Sequence, residues 1–432
     1  MKILTYPGTE AEKRVAAIID RGLDFSEKTF QDVTQILDDV KQNGDKALVG
    51  YTRKFDSQSI TEANLVVTEE EIDHALKQVE PDFMETLDIA VSQITQFHEK
   101  QVTQSWFDAK RSGVFLGQMV NPVDAAGIYV PGAQGGKTPL VSSVLMNGIP
   151  ARIAGVDQIV MTTPPMADGS VNPYLLAAAR KVGVDLVIKA GSAWAVAALA
   201  FGTASVPRVD VITGPGNIYV TLAKKIVSGM VGIDMIAGPS EILVIADDTA
   251  NPDYMAADLL SQAEHDPLAS AILVTTSSRM AARVEKAVKK QLATLSRKEV
   301  AEHSLRDYSA ILVVPDLDTA ISLANKMAPE HLELQVDDPF ACFGRIKNAG
   351  AIFLGRYTPE PVGDYIAGPN HVLPTAGTAR FASALSVDHF VKKTSVIHYS
   401  EAAFKREARH IIRLADIEGL SAHANSVKIR LS

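Results

Sequence analysis

The sequence predicts an α/β protein with two parallel-sheet domains. From residue 124 to residue 327, strand-length and helix-length segments alternate. That rhythm marks parallel sheets with crossover helices. The strand segments are continuous aliphatic runs such as Ile242-Leu-Val-Ile-Ala246, which suit a sheet covered on both faces. At 432 residues the chain also exceeds the size at which one core keeps growing. Together these observations describe two Rossmann-like domains, preceded by a helical segment and followed by a small C-terminal appendage.

Residues 1–120 read as polar and helical. The stretches 28–43 and 69–101 place apolar residues at three- and four-residue spacings between charges. This segment is expected to pack on the second α/β domain, with His74 and His98 as surface residues. The first sheet domain, 121–238, opens with a buried strand at 124–130 and a loop at 131–138 that carries three glycines. Such a loop can approach a phosphate closely, although a plain strand-to-helix turn needs glycine as well. Strands at 158–162, 185–190 and 209–213 then alternate with helices at 172–182, 192–202 and 217–228. The turns Ala190-Gly191-Ser192 and Gly214-Pro215-Gly216-Asn217 each open a helix, whose N-terminus attracts anions. Neither is the usual six-residue dinucleotide fingerprint, so the motif alone does not establish nicotinamide binding.

The second domain, 239–380, repeats the rhythm, with strands at 242–246, 271–275 and 310–314 and helices at 253–264, 279–295 and 317–327. Two such halves suggest a duplicated architecture with a cleft between them. After Gly355 the text reads as loop. Residues 381–432 form the appendage, with an amphipathic helix from Phe404 leading to a turn at 419–425.

Composition excludes several function classes. A net charge of -9 without any basic block argues against a nucleic-acid footprint. The single cysteine, Cys342, rules out an internal disulfide and a Cys-rich metal site, and fits a reducing, cytoplasmic setting. Residues 1–15 are too polar for a signal peptide, and the later apolar runs are too short to span a membrane.

Two clusters carry candidate chemistry. Glu330 and His331 stand side by side after Pro329, which ends the helical pattern of 317–327. Proline biases its neighbours toward extended backbone, so the pair is expected in a loop. A carboxylate beside an imidazole is a plausible proton-transfer pair, and equally a solvated turn. Eight of the ten histidines lie at or after His265. That drift draws attention to Gln262, His265, Asp364, His371 and His423. Gln262 and His265 project from one helix face and could bind one ion, while Asp364 and His423 stand in loops near glycine. Spacing alone does not separate a zinc site from exposed helix and turn residues. His303, His389, His398 and His410 read as structural or surface residues.

The segments Gly127-Ile-Tyr-Val-Pro131, Gly214-Pro-Gly-Asn217, Ala237-Gly-Pro-Ser-Glu241, Gln262-Ala-Glu-His-Asp266, Ala328-Pro-Glu-His-Leu332, Gly368-Pro-Asn-His-Val-Leu-Pro374 and Glu418-Gly-Leu-Ser-Ala-His423 occur in that order. In them the chain resembles the histidinol dehydrogenases from end to end. The resemblance implies oxidation of L-histidinol through L-histidinal to L-histidine with two NAD+, the last two steps of histidine biosynthesis. It implies one zinc per subunit, with Gln262, His265 and Asp364 as ligands and His423 supplied across a homodimer by the appendage. His331 would accept the alcohol proton, and Glu330 would activate water on the aldehyde. Ser240, His371 and Glu418 match substrate contacts, as do the zinc ligands and His331. Tyr129 and Asn217 match NAD contacts. Where the family usually reads Gly-Gly-Ala-Gln-Ala-Ile, this chain has Gly191-Ser-Ala-Trp-Ala-Val196. Trp194 thus replaces a glutamine that contacts NAD, and altered NAD affinity is expected. A related dehydrogenase of another amino or sulfonated alcohol, a zinc hydrolase using Glu330 as base, and a binding protein without turnover are the competing readings.

Overall fold

Two parallel sheets, each covered by helices, make up most of the computed structural model, which describes residues 1–21, 25–133, 136 and 138–431. The chain divides into two units. The larger holds residues 1–101 and 124–390 and contains both sheets. Its five-stranded sheet runs in the order Gly232–Ile233, Val211–Thr213, Ala125–Tyr129, Gln158–Thr163, Leu186–Lys189, every pair parallel. Its six-stranded sheet runs Lys2–Thr5, Ala310–Val313, Ser270–Thr275, Glu241–Ala246, His331–Gln335, Ala351–Leu354, again all parallel.

Both sheets are wound alike. In each, the first strand of the βαβ series lies inside, two strands follow on one side, and the chain then crosses to the other. The reversal falls between Ala125–Tyr129 and Val211–Thr213 in one sheet and between Glu241–Ala246 and His331–Gln335 in the other. Such switch points open the crevices in which α/β proteins bind ligands.

Local signals explain the helices. Asn172 caps Pro173–Val182 by accepting from the Tyr174 N–H at 3.1 Å, and Gly183 closes it in the left-handed conformation. Asp316 caps Leu317–Met327 through the Thr319 N–H at 2.7 Å. Residues 69–101 are not one helix. Glu69–Leu76 and Pro81–His98 are separate, because proline is favoured in a first turn but removes a bond from a helix interior.

The N-terminal segment divides between the sheets instead of packing on the second. Lys2–Thr5 adds an edge strand to the six-stranded sheet, and Ala11, Val15 and Ile18 join its core. The helices Glu27–Asn43 and Asp45–Phe55 cover the five-stranded sheet, where Val33, Ile36, Leu37 and Val40 meet the helix Ser192–Phe201, apolar at every position after Ser192. An apolar stripe packs on whichever partner offers the larger apolar face, and helical periodicity does not name that partner. His98, expected on the surface, is fully buried, with its Nε2 3.1 Å from the Asn370 amide nitrogen.

The smaller unit holds residues 102–123 and 391–432. In it Val391–Tyr399 pairs antiparallel with Val114–Pro122, which pairs with Trp106–Asp108. The helices Glu401–Ile417 and Ser421–Lys428 follow, so His423, expected in a turn, lies on a helix. None of the helices among the described residues is long and apolar enough to cross a membrane.

Candidate active site

Of the pair expected in a loop, Glu330 does lie in a bend, but His331 belongs to the strand that follows it. His331 opens a strand that is hydrogen-bonded on both sides, in register with Ile242 and Ala351. Leu332 and Leu334 point into one core, so His331, Glu333 and Gln335 emerge on the opposite face. Pro329 does end the preceding helix, after Ala328 in the left-handed region. The extended backbone it favours simply continues as strand.

One residue of the neighbouring strand holds the pair. The Glu241 N–H donates to Glu330 Oε2 at 2.9 Å, and the Glu241 carbonyl lies 2.9 Å from His331 Nδ1. A carbonyl can only accept, so Nδ1 carries the proton and Nε2 keeps its lone pair. That Nε2 is buried without a hydrogen-bond partner among the described residues. Burial lowers the imidazole pKa to about 4, so the ring is neutral and ready to accept a proton. Burial likewise raises the Glu330 carboxyl well above the usual range, and nearby carboxylates add to the effect. Arg21 anchors the arrangement from behind through a 2.7 Å ion pair with the Glu241 side chain.

Of the expected metal donors in the larger unit, Asp364 approaches His331. Gln262 sits in the last turn of Pro252–Ala263, and both of its amide heteroatoms are buried without partners among the described residues. Unpaired buried amides are rare and call for a ligand. His265 lies just past the helix end, its N–H on the Gln262 carbonyl at 3.2 Å. Asp364, expected in a loop, is on the short helix Glu360–Tyr365. Ligand atoms of His331, Asp364 and Glu360 lie within 4.8 Å of one another. Glu360 is an addition that the sequence reading passed over. Its signal was the i, i+4 spacing to Asp364, hidden in a Pro-Glu-Pro run that reads as loop. Burial raises its pKa to about 8 and that of Asp364 to about 6. An amide, carboxylates and imidazoles suit a borderline cation such as zinc, and the orphaned Gln262 amide fits such a group.

His371 lines a cavity of about 320 Å³ together with Asp364, Phe353 and Thr358, and its buried Nε2 also lacks a partner among the described residues. Ser240 is half-buried directly before Glu241. Glu418 and His423 are exposed in the smaller unit, Glu418 closing the helix Glu401–Ile417.

Glu330 and His331 lie at the amino end of the strand, whereas the expected cofactor contacts lie at carboxyl ends in the other sheet. Tyr129 ends its strand at the switch point, its hydroxyl accepting from the Ser192 N–H at 3.2 Å. Beside it the Gly214 turn approaches so closely that a Cβ there would lie 2.1 Å from the Tyr129 carbonyl oxygen. Asp234 Oδ2 accepts from the Gly214 N–H at 2.8 Å, and Lys224 donates to the Gly214 carbonyl at 2.9 Å while pairing with Asp234. Asn217 uses its side-chain oxygen to cap Ile218–Val227, which leaves its NH2 group for a ligand. Trp194 is buried, stacked on Tyr51 and Phe55 at ring-centroid distances of 5.8 and 5.3 Å. Of the glycine-rich loop, Gln134, Gly135 and Lys137 lie outside the described residues.

Comparison with known proteins shows the family. The family model described as histidinol dehydrogenase matches residues 20–431. The chain is 57% identical over 399 residues to histidinol dehydrogenase of Desulfotalea psychrophila, covering 92% of each. It is 54% identical over 431 residues to that of Syntrophotalea carbinolica, covering 100% of this chain and 99% of the relative. The crystal structure of histidinol dehydrogenase from Elizabethkingia anophelis is similar over 100% of this chain and 98% of its own, with 38% identity and a TM-score of 0.92. A family model spanning nearly the whole sequence, together with relatives of this identity and coverage, means that the chain belongs to the histidinol dehydrogenase family.

Proposed function

We propose that this chain oxidises L-histidinol through L-histidinal to L-histidine, with two NAD+ and one zinc per subunit, as a cytoplasmic homodimer with shared active sites. The observation that carries the reading is His331. Its tautomer is fixed by the Glu241 carbonyl, its ring is held neutral with Nε2 free of a partner among the described residues, and a ring nitrogen lies within 4.8 Å of carboxylate oxygens of Glu360 and Asp364. When bound, zinc would orient the amine and imidazole of the substrate without changing redox state, and NAD+ would take up hydride.

The residues of this chain supply the rest. His331 Nε2 accepts the hydroxyl proton as hydride leaves the same carbon. Glu330, made a stronger base by burial, takes a proton from water as the water oxygen bonds to the aldehyde carbon, and the carbonyl oxygen, its π bond broken, takes up a proton to give the hydrate. His331 then acts again when the hydrate is oxidised, so two hydrides leave in all. Gln262, His265 and Asp364 are the zinc donors of this subunit, and His423 of the partner subunit completes the set. His371, Ser240 and Glu418 bind substrate, and Tyr129 and Asn217 bind NAD+. A closed site protects the reactive aldehyde between the two steps.

The test counts NADH formed per L-histidinol consumed by zinc-loaded protein, with L-histidine assayed in the same tube. Two NADH and one histidine are expected. One NADH with accumulating histidinal would remove the second step, and none would favour another alcohol substrate or hydrolytic chemistry.

A further inference from the structure

Glu333 is fully buried on the strand that begins with His331, on the same face and two residues along. Burying a carboxyl is costly unless it is hydrogen-bonded, and this one is bonded within its own strand and to a helix, and faces a carboxyl on a second helix. Its Oε1 accepts from the Glu360 backbone N–H at 3.1 Å, and its Oε2 accepts from the Gln335 amide at 3.2 Å. Its carboxyl also faces that of Asp258, close enough for each to perturb the other's proton affinity.

These partners are not arbitrary. Glu360 is the first residue of the helix that carries Asp364, and that helix has Pro359 at its cap position with no side-chain capping bond. Glu333 therefore caps it from a neighbouring strand, taking up a donor that would otherwise be orphaned. Asp258 lies one turn before Gln262 on Pro252–Ala263 and shares its face. One carboxyl thus ties the strand of the base to the helices of two donors.

We infer that Glu333 is a positioning residue that fixes the spacing of Gln262, Asp364 and His331 by clamping their three elements together. The inference rests on the proposal that Gln262 and Asp364 hold zinc. Groups that orient ligands from behind typically change metal affinity by about 10–100-fold when removed.

The experiment compares full-length wild type with Glu333→Ala, Glu333→Gln and Asp258→Ala. It measures zinc affinity by competition with a chromogenic chelator, the Tm of the zinc-free protein, and KM for L-histidinol and for NAD+. Glu333→Ala is expected to bind zinc about 10–100-fold more weakly and to raise KM for histidinol but not for NAD+. Glu333→Gln can still accept from the Glu360 N–H and can donate to Asp258, so it should restore zinc affinity. A folded Glu333→Ala protein with wild-type zinc affinity overturns the inference, as does a glutamine variant as impaired as the alanine one. If Glu333→Ala does not fold, Asp258→Ala reads the same link from the other end, and unchanged zinc affinity there is equally fatal. Wild type that fails to bind zinc would instead overturn the metal reading itself.

Discussion

Replacing Asp234 by alanine removes the carboxylate that holds the Gly214 turn by its N–H and neutralises Lys224. Both partners are buried, with side-chain exposures of 3% for Lys224 and 0% for Asp234. Breaking a buried pair by deleting one partner costs about 3–5 kcal/mol, because the other charge stays behind without compensation. The Gly214 N–H, bonded to Asp234 at 2.8 Å, is orphaned in the same step. With a urea slope of roughly 2–3 kcal/mol/M, the unfolding midpoint should fall by about 1.5 M. Trp194 lies in the same core as Leu222 and Ala223 beside Lys224, so its fluorescence reports the transition. The NAD+ KM should rise as well, since Tyr129 and Asn217 flank the turn. The double variant Asp234→Ala with Lys224→Met removes both charges and should recover part of the lost stability. An Asp234→Ala protein with an unchanged midpoint and unchanged NAD+ KM would refute the reasoning. So would a double variant less stable than the single one.

Other outcomes follow from the site and the core. His331→Ala should lower kcat by about 10²–10⁴-fold while calorimetry still detects histidinol binding. Glu330→Gln should be impaired mainly in histidinal oxidation, and equal loss of both half-reactions would contradict the division of roles. Trp194→Gln should lose about 3 kcal/mol of stability, since it exchanges an aromatic stack for a buried amide, and should shift the NAD+ KM. An unchanged KM would place Trp194 outside cofactor reach. His98, buried beside Asn370, has its pKa lowered by burial from the ordinary 6.5 to about 4. The unfolded chain therefore binds more protons between those values, so this stability is present above pH 6.5 and lost as pH falls toward 4. Wild type should lose about 1 kcal/mol from this source between pH 7.5 and 5.5. His98→Gln should show a flatter pH dependence of the urea midpoint, and parallel curves would exclude His98 as the cause.

Much of the architecture was legible from local patterns. Aliphatic runs, Asn and Asp caps and closing glycines are short-range signals. The helix Leu317–Met327 falls where its spacing and Pro329 place it. Glu330 and His331 stood out because an acid and an imidazole adjoin a proline, yet the same proline pointed to a loop. Whether extended backbone becomes strand depends on what lies beside it. Here Ile242 and Ala351 supply both neighbours. Glu333 escaped notice because a lone carboxylate carries no signal until burial and partners are known, and the spacing of Glu360 to Asp364 was hidden in a proline-rich run that reads as loop.

What the sequence determined by itself was the succession of elements, the two-sheet plan and, through ordered motifs, the family. These depend on propensity, periodicity and residue type, which neighbours along the chain express directly. Only the tertiary structure decided that the N-terminal helices cover the first sheet, that His98 is buried, and that Glu241 fixes the His331 tautomer. It also decided that the Glu333 carboxyl accepts from the Glu360 N–H at the start of the helix that carries Asp364. Each of these joins groups distant in sequence, and their contact energies exist only once the sheets have brought them within hydrogen-bond or packing distance.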